Sequence, residues 1–367
     1  MTIESAVRTH SSRLRVRLLC ASVAALLCAC GPGGPKRETD DGSGGSGGDS
    51  GPSTGISVLA GDPVTGGSAN NKGTSARFNT PRGLAVDTNG NVYVADQGNL
   101  TIRKIAPDGT VTTFAGVANS SGTTDGKGNR ARFTQPTAIT IDGNGDLYVI
   151  DNLSIRKITM DGTVSTVTTL SFGNFGLDVQ NYPAGIAADG DGNLFVTSGV
   201  DTRRIPISNP SNARTLETGA VFPVYGTGVL VPRGVVVDPD GTAYVADLTR
   251  TLSRATSGAT ALTSFVGSRN QAGNADGNAS TARFQQLVAL TIDKNGNLYG
   301  ADAINNTIRK ITTPDGTVTT PAGTSKSTTL RTGKLPGSFA QLRGIAIDGS
   351  GNLYATSGNA VVKIVLP

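Results

Sequence analysis

Histidine is all but absent from this chain, and its one copy, His10, lies close to the N-terminus. Tryptophan is missing altogether, and the three cysteines crowd into residues 20–30. Glutamate occurs only at Glu4, Glu38 and Glu217. Each scarcity removes a chemistry. Beyond residue 30 there is no His or Cys to build an ordinary zinc site. Nor is there a Ser–His or Cys–His nucleophile, and no disulfide can form there. The longest apolar run, Leu18–Ala29, is too short to span a bilayer as a helix. No basic stripe with interleaved aromatics exists, which argues against nucleic-acid binding.

Arg8, Arg13, Arg15 and Arg17 precede the apolar run, the pattern of an export signal. The junction Leu27-Cys28-Ala29-Cys30 resembles the bacterial lipoprotein signal. That resemblance implies cleavage before Cys30, lipidation of Cys30 and an extracytoplasmic, membrane-anchored protein. Gly31, in place of the Asp that retains such proteins at the inner membrane, points to the outer membrane if the host has one. Losing residues 1–29 removes four Arg and one Glu from 32 basic and 27 acidic residues. The net charge then falls from +5 to +2, so the basic balance belongs mostly to the discarded segment. Residues 30–55 hold almost no apolar side chain and read as a flexible tether. One folded domain is expected over residues 56–367.

What fills that domain is one sentence written six times. Its copies begin at residues 81, 136, 183, 232, 287 and 342, as in PRGLAVDTNGNVYVAD and LRGIAIDGSGNLYATS. The first Asp of each falls at Asp87, Asp142, Asp189, Asp238, Asp293 and Asp348, in steps of 47 to 55 residues. A period of that size marks one supersecondary unit used repeatedly. Within the first copy, short apolar β-branched runs alternate with turn signals, Asn89-Gly90 and Pro107-Asp108-Gly109. Asn-Gly between apolar runs predicts a hairpin with positive φ at both central positions. Four short strands per copy make an antiparallel blade, and their nearly continuous apolarity calls for packing on both faces. The expected fold is therefore an all-β, six-bladed β-propeller of four-stranded blades. The last copy ends before its fourth strand. Ile56–Gly61, which matches Val111–Gly116, Leu262–Gly267 and Val318–Gly323, should supply it beside Val361–Val365.

The strings Ala131-Arg132-Phe133, Pro136, Ile139–Asp142, Asn144–Asp151, Ile155–Ile158 and Asp161–Val164, with their counterparts in copies one and five, resemble the NHL repeat. That family forms six-bladed propellers, and the likeness covers nearly all of residues 56–367. Copies three and four depart from it in their outer strands. The family hosts enzymes, receptors and scaffolds, so fold alone does not name an activity. Its His-dependent lyases are poor models for a chain without His beyond residue 10. Metal-dependent lactonases of similar fold place a Glu near the axis, and no Glu starts an inner strand here.

Two sets of side chains invite chemistry. The six recurring Asp resemble calcium loops, but an Asp entering a tight turn normally caps its own backbone. The recurring Tyr93, Tyr148, Phe195, Tyr244, Tyr299 and Tyr354 read as packing between blades. Phe78, Phe133, Phe284 and Phe339 read as staples for the interblade loops. More telling is the position before the inner-strand Gly or Ala, occupied by Arg82, Thr137, Ala184, Arg233, Val288 and Arg343. Arg82, Arg233 and Arg343 would form a positive mouth suited to a carboxylate, phosphate or sulfate. Alternatively each would pair with an acid ending the second strand: Asp96, Asp151, Asp247 or Asp302. Asp96, Asp247 and Asp302 thus join the three Arg as candidate ligand-binding residues. The polar loops 62–77, 117–132 and 268–283 are expected on the same face. Lys104, Lys157 and Lys310 read as solvated edge charges.

Together these features describe a lipid-anchored, monomeric binding module for an envelope protein, peptide or glycan. It needs no cofactor and is not expected to be an enzyme. The alternative is a lactonase-like hydrolase or lyase holding Ca2+ or another divalent cation in the central funnel and acting on a small anion.

Overall fold

The computed structural model describes residues 54–170, 184–198, 201–216, 232–247, 249–269 and 271–367. The expected signal segment, Cys30 and all but the end of the tether lie outside them. The described chain forms six antiparallel sheets. Blade 1 consists of Pro81–Val86, Val92–Asp96, Thr101–Ile105 and Val111–Gly116, running from the axis outward. Blades 2 to 5 begin at Pro136, Gly185, Pro232 and Leu287. Blade 6 holds Leu342–Ile347, Leu353–Ser357 and Ala360–Val365, and its outermost strand is Gly55–Gly61. Gly55 faces Val365 and Gly61 faces Ala360, so the expected closure is present, with a bulge between Val58 and Ala60.

Sequence periodicity explains where the core lies. Each hydrophobic cluster straddles two neighbouring blades rather than one sheet. Tyr93, Ala95 and Ile102 pack with Ile139, Leu147 and Val149, while Tyr148 and Ile150 pack with Ile186 and Val196. Ala60 and Val361 at the closure pack with Phe78 and Val92 of blade 1. Near the axis the inner strands approach so closely that a Cβ on Gly344 would collide with the Arg82 carbonyl, and one on Gly185 with the Arg233 carbonyl. Those glycines hold the beginnings of adjacent inner strands side by side.

The hairpin turns differ from the expected form. Only the Gly of each Asn-Gly pair has positive φ, as at Gly90 (77°) and Gly296 (84°). Asp87 explains this. Its Oδ1 accepts the backbone N–H groups of Asn89 and Asn91 at 2.9 and 2.8 Å, and its Oδ2 accepts the Tyr93 hydroxyl at 3.2 Å. The carboxylate stabilises a longer loop in which the Asn stays right-handed and the Gly alone turns back. Asp142, Asp189, Asp238, Asp293 and Asp348 also accept backbone N–H bonds from their own turns. These six carboxylates have structural work.

Deleting Gly55–Gly61 strips blade 6 of its outer strand and uncovers buried Ile56 and Ala60 contacts. The expected loss is about 5 kcal/mol, seen as a drop of roughly 10 °C in melting temperature. A deletion variant that melts with the parent would contradict the closure.

Candidate functional site

Inner strands begin, and second strands end, on one face of the ring, so this face carries the opening of the central funnel. Arg82 and Arg343 stand on neighbouring inner strands there, held together by the Gly344–Arg82 approach. Arg233 is the second residue of the inner strand of blade 4. The guanidiniums of Arg343 and Arg233 lie near enough for their charges to press on Arg82. Although Arg82 reaches solvent at the rim, crowding by protein removes enough water to hold its guanidinium below the ordinary arginine value, with Arg343 and then Arg233 adding to the effect. Burial lowers Arg233 and Arg343 too. All three stay charged at neutral pH.

Their partners are neutral. Arg82 Nε donates to Gln97 Oε1 at 2.5 Å, and Arg343 Nη2 donates to Gln341 Oε1 at 2.7 Å. The Nε of Arg233 is buried without a hydrogen-bond partner. Among the described residues, no carboxylate lies within ion-pair distance of any of the three. The structure therefore brings the three Arg together but does not join them to the acids.

Those acids serve the blades. Asp96 Oδ2 accepts from Arg103 Nη1 at 2.9 Å, and Oδ1 accepts the Asn79 N–H at 2.8 Å. Asp151 pairs with Arg156 at 3.0 Å, and Asp302 lies 3.6 Å from Arg309. Asp247 accepts from the backbone and hydroxyl of Thr249 and from the Thr251 hydroxyl. Pairing between these acids and the inner-strand Arg is thus overturned. In blades 1, 2 and 5 the third strand places its own Arg between the acid and the interblade loop, and that buried Arg takes the carboxylate first; in blade 4, where Ser253 stands at that position, Thr249 and Thr251 take it instead.

Arg103, Arg156 and Arg309 were not singled out by sequence reasoning, yet they organise the long loops. Arg156 Nη1 donates to the Arg132 carbonyl at 3.0 Å; its Nη2 reaches Thr124 O and Asp125 Oδ1. Arg309 repeats this with Arg283 O, Ala275 O and Asp276 Oδ1. Arg103 does so with Arg77 O, Ala69 O and Asn70 Oδ1. Each guanidinium lies 5.0–5.2 Å from the centre of a buried ring, Phe78, Phe133 or Phe284. Burial pushes the Asp96 and Asp151 carboxyls up, Asp96 to about 6, and the surrounding donors offset this only in part.

These clamps change the expected position of the loop tips. Asp125 and Asp276 do not project over the mouth. They bind the outer-strand Thr166 and Thr320, and the loops run down the outside of the blade they enter. Gly126–Lys127 pairs with Thr163–Val164, and Gly73 N–H reaches Gly109 O at the far end of blade 1. Only the roots of the loops border the mouth. Lys104, Lys157 and Lys310 are half-buried rather than solvated, each with its ammonium 5.8 Å from the ring of Tyr93, Tyr148 or Tyr299. Cross-strand register places the Lys stem directly beside that ring.

A family model described as the teneurin NHL domain matches residues 51–125, which span the closing strand and blade 1. Six blades repeat the same antiparallel arrangement around the ring. The fold is a six-bladed β-propeller whose first blade and closing strand match the NHL model. A structural-genomics protein of unknown function from Bacteroides thetaiotaomicron superposes on this propeller with TM-score 0.70 and 20% identity, over 86% of this chain and 76% of its own. An auxiliary nutrient binding protein from the same organism gives TM-score 0.64 at 16% identity, over 85% and 76%. A gluconolactonase from Xanthomonas campestris gives 0.53 at 14%, over 85% and 89%. At these identities the likeness is one of fold. No curated protein matches the chain.

The buried clamp of this propeller makes a sharp stability prediction. Arg156→Met leaves Asp151 buried and unpaired and should cost about 3–5 kcal/mol in urea unfolding. Arg156→Met with Asp151→Leu should recover much of that loss. A single variant as stable as the parent would show that the clamp does not hold the loop.

Proposed function

We propose that this propeller is an extracytoplasmic binding module, anchored through Cys30, whose mouth captures an acidic segment of an envelope protein or peptide. The observation that carries the reading is the convergence of Arg82, Arg233 and Arg343 without a carboxylate partner among the described residues. Like charges held together repel, and an incoming carboxylate relieves that repulsion while gaining charge-assisted hydrogen bonds. The rim favours a macromolecular ligand. Of the four exposed large hydrophobic side chains among the described residues, Val64, Leu153 and Ile304 lie on loops of this face. Isolated apolar residues around a charged centre are what an interface would bury. The name of the nutrient-binding neighbour is compatible with such a role.

The metal-dependent reading has weaker support. Among the described residues no three His, Cys, Asp or Glu side chains cluster as cation ligands would. The second-strand acids that might have supplied oxygen are engaged by Arg, Thr and backbone donors.

A Glu-rich peptide with interspersed Leu should bind the full chain, weaken with added salt, and outcompete a Lys-rich peptide. An Arg82→Ala/Arg233→Ala/Arg343→Ala variant should lose about tenfold or more in affinity, read by calorimetry. Equal capture by parent and variant would overturn the mouth as the site. Capture of an acidic glycan but of no peptide would overturn the protein-ligand reading.

A further inference from the structure

Blade 3 breaks a rule that the other five blades keep. Its four strands are Gly185–Ala188, Asn193–Thr197, Thr202–Pro206 and the outer strand Arg214–Leu216. In every other blade, the basic residue on the third strand faces a small hydroxyl residue on the outer strand. The pairs are Lys104 with Thr112, Lys157 with Ser165, Arg254 with Thr263, Lys310 with Thr319 and Lys363 with Ser57. In blade 3, Arg204 faces Arg214. Two like charges directly opposite in a sheet destabilise it unless something negative lies between them.

Nothing in the described chain neutralises both. The nearest carboxylate is Asp189, whose Oδ2 lies 3.5 Å from Arg204 Nη2, the long end of an ion pair. That oxygen also accepts from Asn193 Nδ2 at 2.9 Å. The Nε of Arg204 is buried with no hydrogen-bond partner. No ion pair is formed by Arg214 among the described residues. A second substitution accompanies the first. Phe195 replaces the Tyr of the other blades, so the ring has no hydroxyl to offer Asp189, and Arg204 lies over it at 5.8 Å.

Space accompanies the charge. Within the described residues the outer strand covers Arg214–Leu216 and follows a single turn at Pro210–Asn212. Arg204, Arg214, Asn193, Asn212 and Pro206 line a half-open cavity of about 310 Å³. It lies at the hairpin-turn end of the blade, away from the mouth. Among the described residues, two guanidiniums against one carboxylate leave one positive charge uncompensated. Two amide side chains beside them can meet hydroxyl groups. The volume is at the lower end of that found for small-molecule sites.

We propose that this notch in blade 3 binds a small anionic sugar derivative, with Arg204 and Arg214 gripping its oxyanion and Asn193 and Asn212 meeting its hydroxyl groups. The oxyanion could be the carboxylate of a sugar acid or the phosphoryl group of a sugar phosphate, because both present the planar or trigonal oxygens that a guanidinium fork matches. Binding here does not involve Arg82, Arg233 or Arg343, so it stands independently of the mouth.

The test is calorimetric titration of the full chain with galacturonate, glucose 6-phosphate, glucose and inorganic phosphate. Arg204→Lys/Arg214→Thr recreates the pairing of blades 1 and 5 and so should fold. Galacturonate or glucose 6-phosphate should bind the parent and the mouth triple variant alike, and bind the blade 3 variant about tenfold more weakly or worse. Which of the two binds identifies the oxyanion. Without ligand, the blade 3 variant should melt above the parent, because the like-charge pair is gone. Absence of binding by both acids, or equal binding by parent and blade 3 variant, would overturn the proposal. Inorganic phosphate binding as tightly as the sugars would refute the recognition of hydroxyl groups.

Discussion

Everything in this protein hangs on the hydrogen-bonded seam between Gly55–Gly61 and Ala360–Val365. A blade in the ring is packed on both faces by its neighbours, so no blade has a solvent face of its own. Such an arrangement is stable only if the last blade finds the first, and a single strand from the beginning of the domain joins them. The seam also fixes the funnel. With blade 6 against blade 1, the Gly344–Arg82 approach sets two guanidiniums side by side at the mouth. The pairing of these two guanidiniums is a consequence of closure, because Arg82 and Arg343 are separated by nearly the whole repeat array in sequence.

Two kinds of buried or crowded positive charge are distinguished by their partners. Arg103, Arg156 and Arg309 are almost wholly inaccessible and satisfied by acids and loop carbonyls. A pair of that kind adds little net stability over an apolar equivalent, but it dictates where a loop can lie. Arg82, Arg233 and Arg343 carry the same side chain with neutral partners or none. The first group is architecture; the second leaves binding capacity unused within the chain. Arg214 falls in the second group, while Arg204, with a 3.5 Å contact to Asp189 and an unpartnered Nε, stands between the two.

Much of the ring was legible in the sequence because repetition reports geometry directly. The six Asp-x-x-Gly turns, the recurring Tyr and the displaced Ile56–Gly61 strand each follow from residue type at a fixed spacing. The loop positions were not legible in the same way. Composition marks loops 117–132 and 268–283 as polar and long, which suits projection into solvent. Their course is set by a tertiary bond from Arg156 or Arg309, some thirty residues away, to Asp125 or Asp276. A signal was available: in blades 1, 2 and 5 the third-strand Arg accompanies Ala-Arg-Phe and an Asn or Asp in the preceding loop, whereas blade 3 has Arg203 at that strand position without Ala-Arg-Phe, and Ser253 and Val362 stand there in blades 4 and 6. The mouth was half legible. Three Arg at one repeat position pointed to a shared site, but their partners depend on side-chain reach across strands.

The seam is tested most directly by cross-linking its register. Ser57 and Lys363 are cross-strand partners, whereas Ser57 and Thr112 belong to the outer strands of different blades. With Cys20, Cys28 and Cys30 changed to Ser, a Ser57→Cys/Lys363→Cys chain should close an intramolecular disulfide on mild oxidation. A Ser57→Cys/Thr112→Cys chain should not. Failure of the first pair to link within one chain, or linkage only between two chains, would contradict a ring closed by its own N-terminal strand.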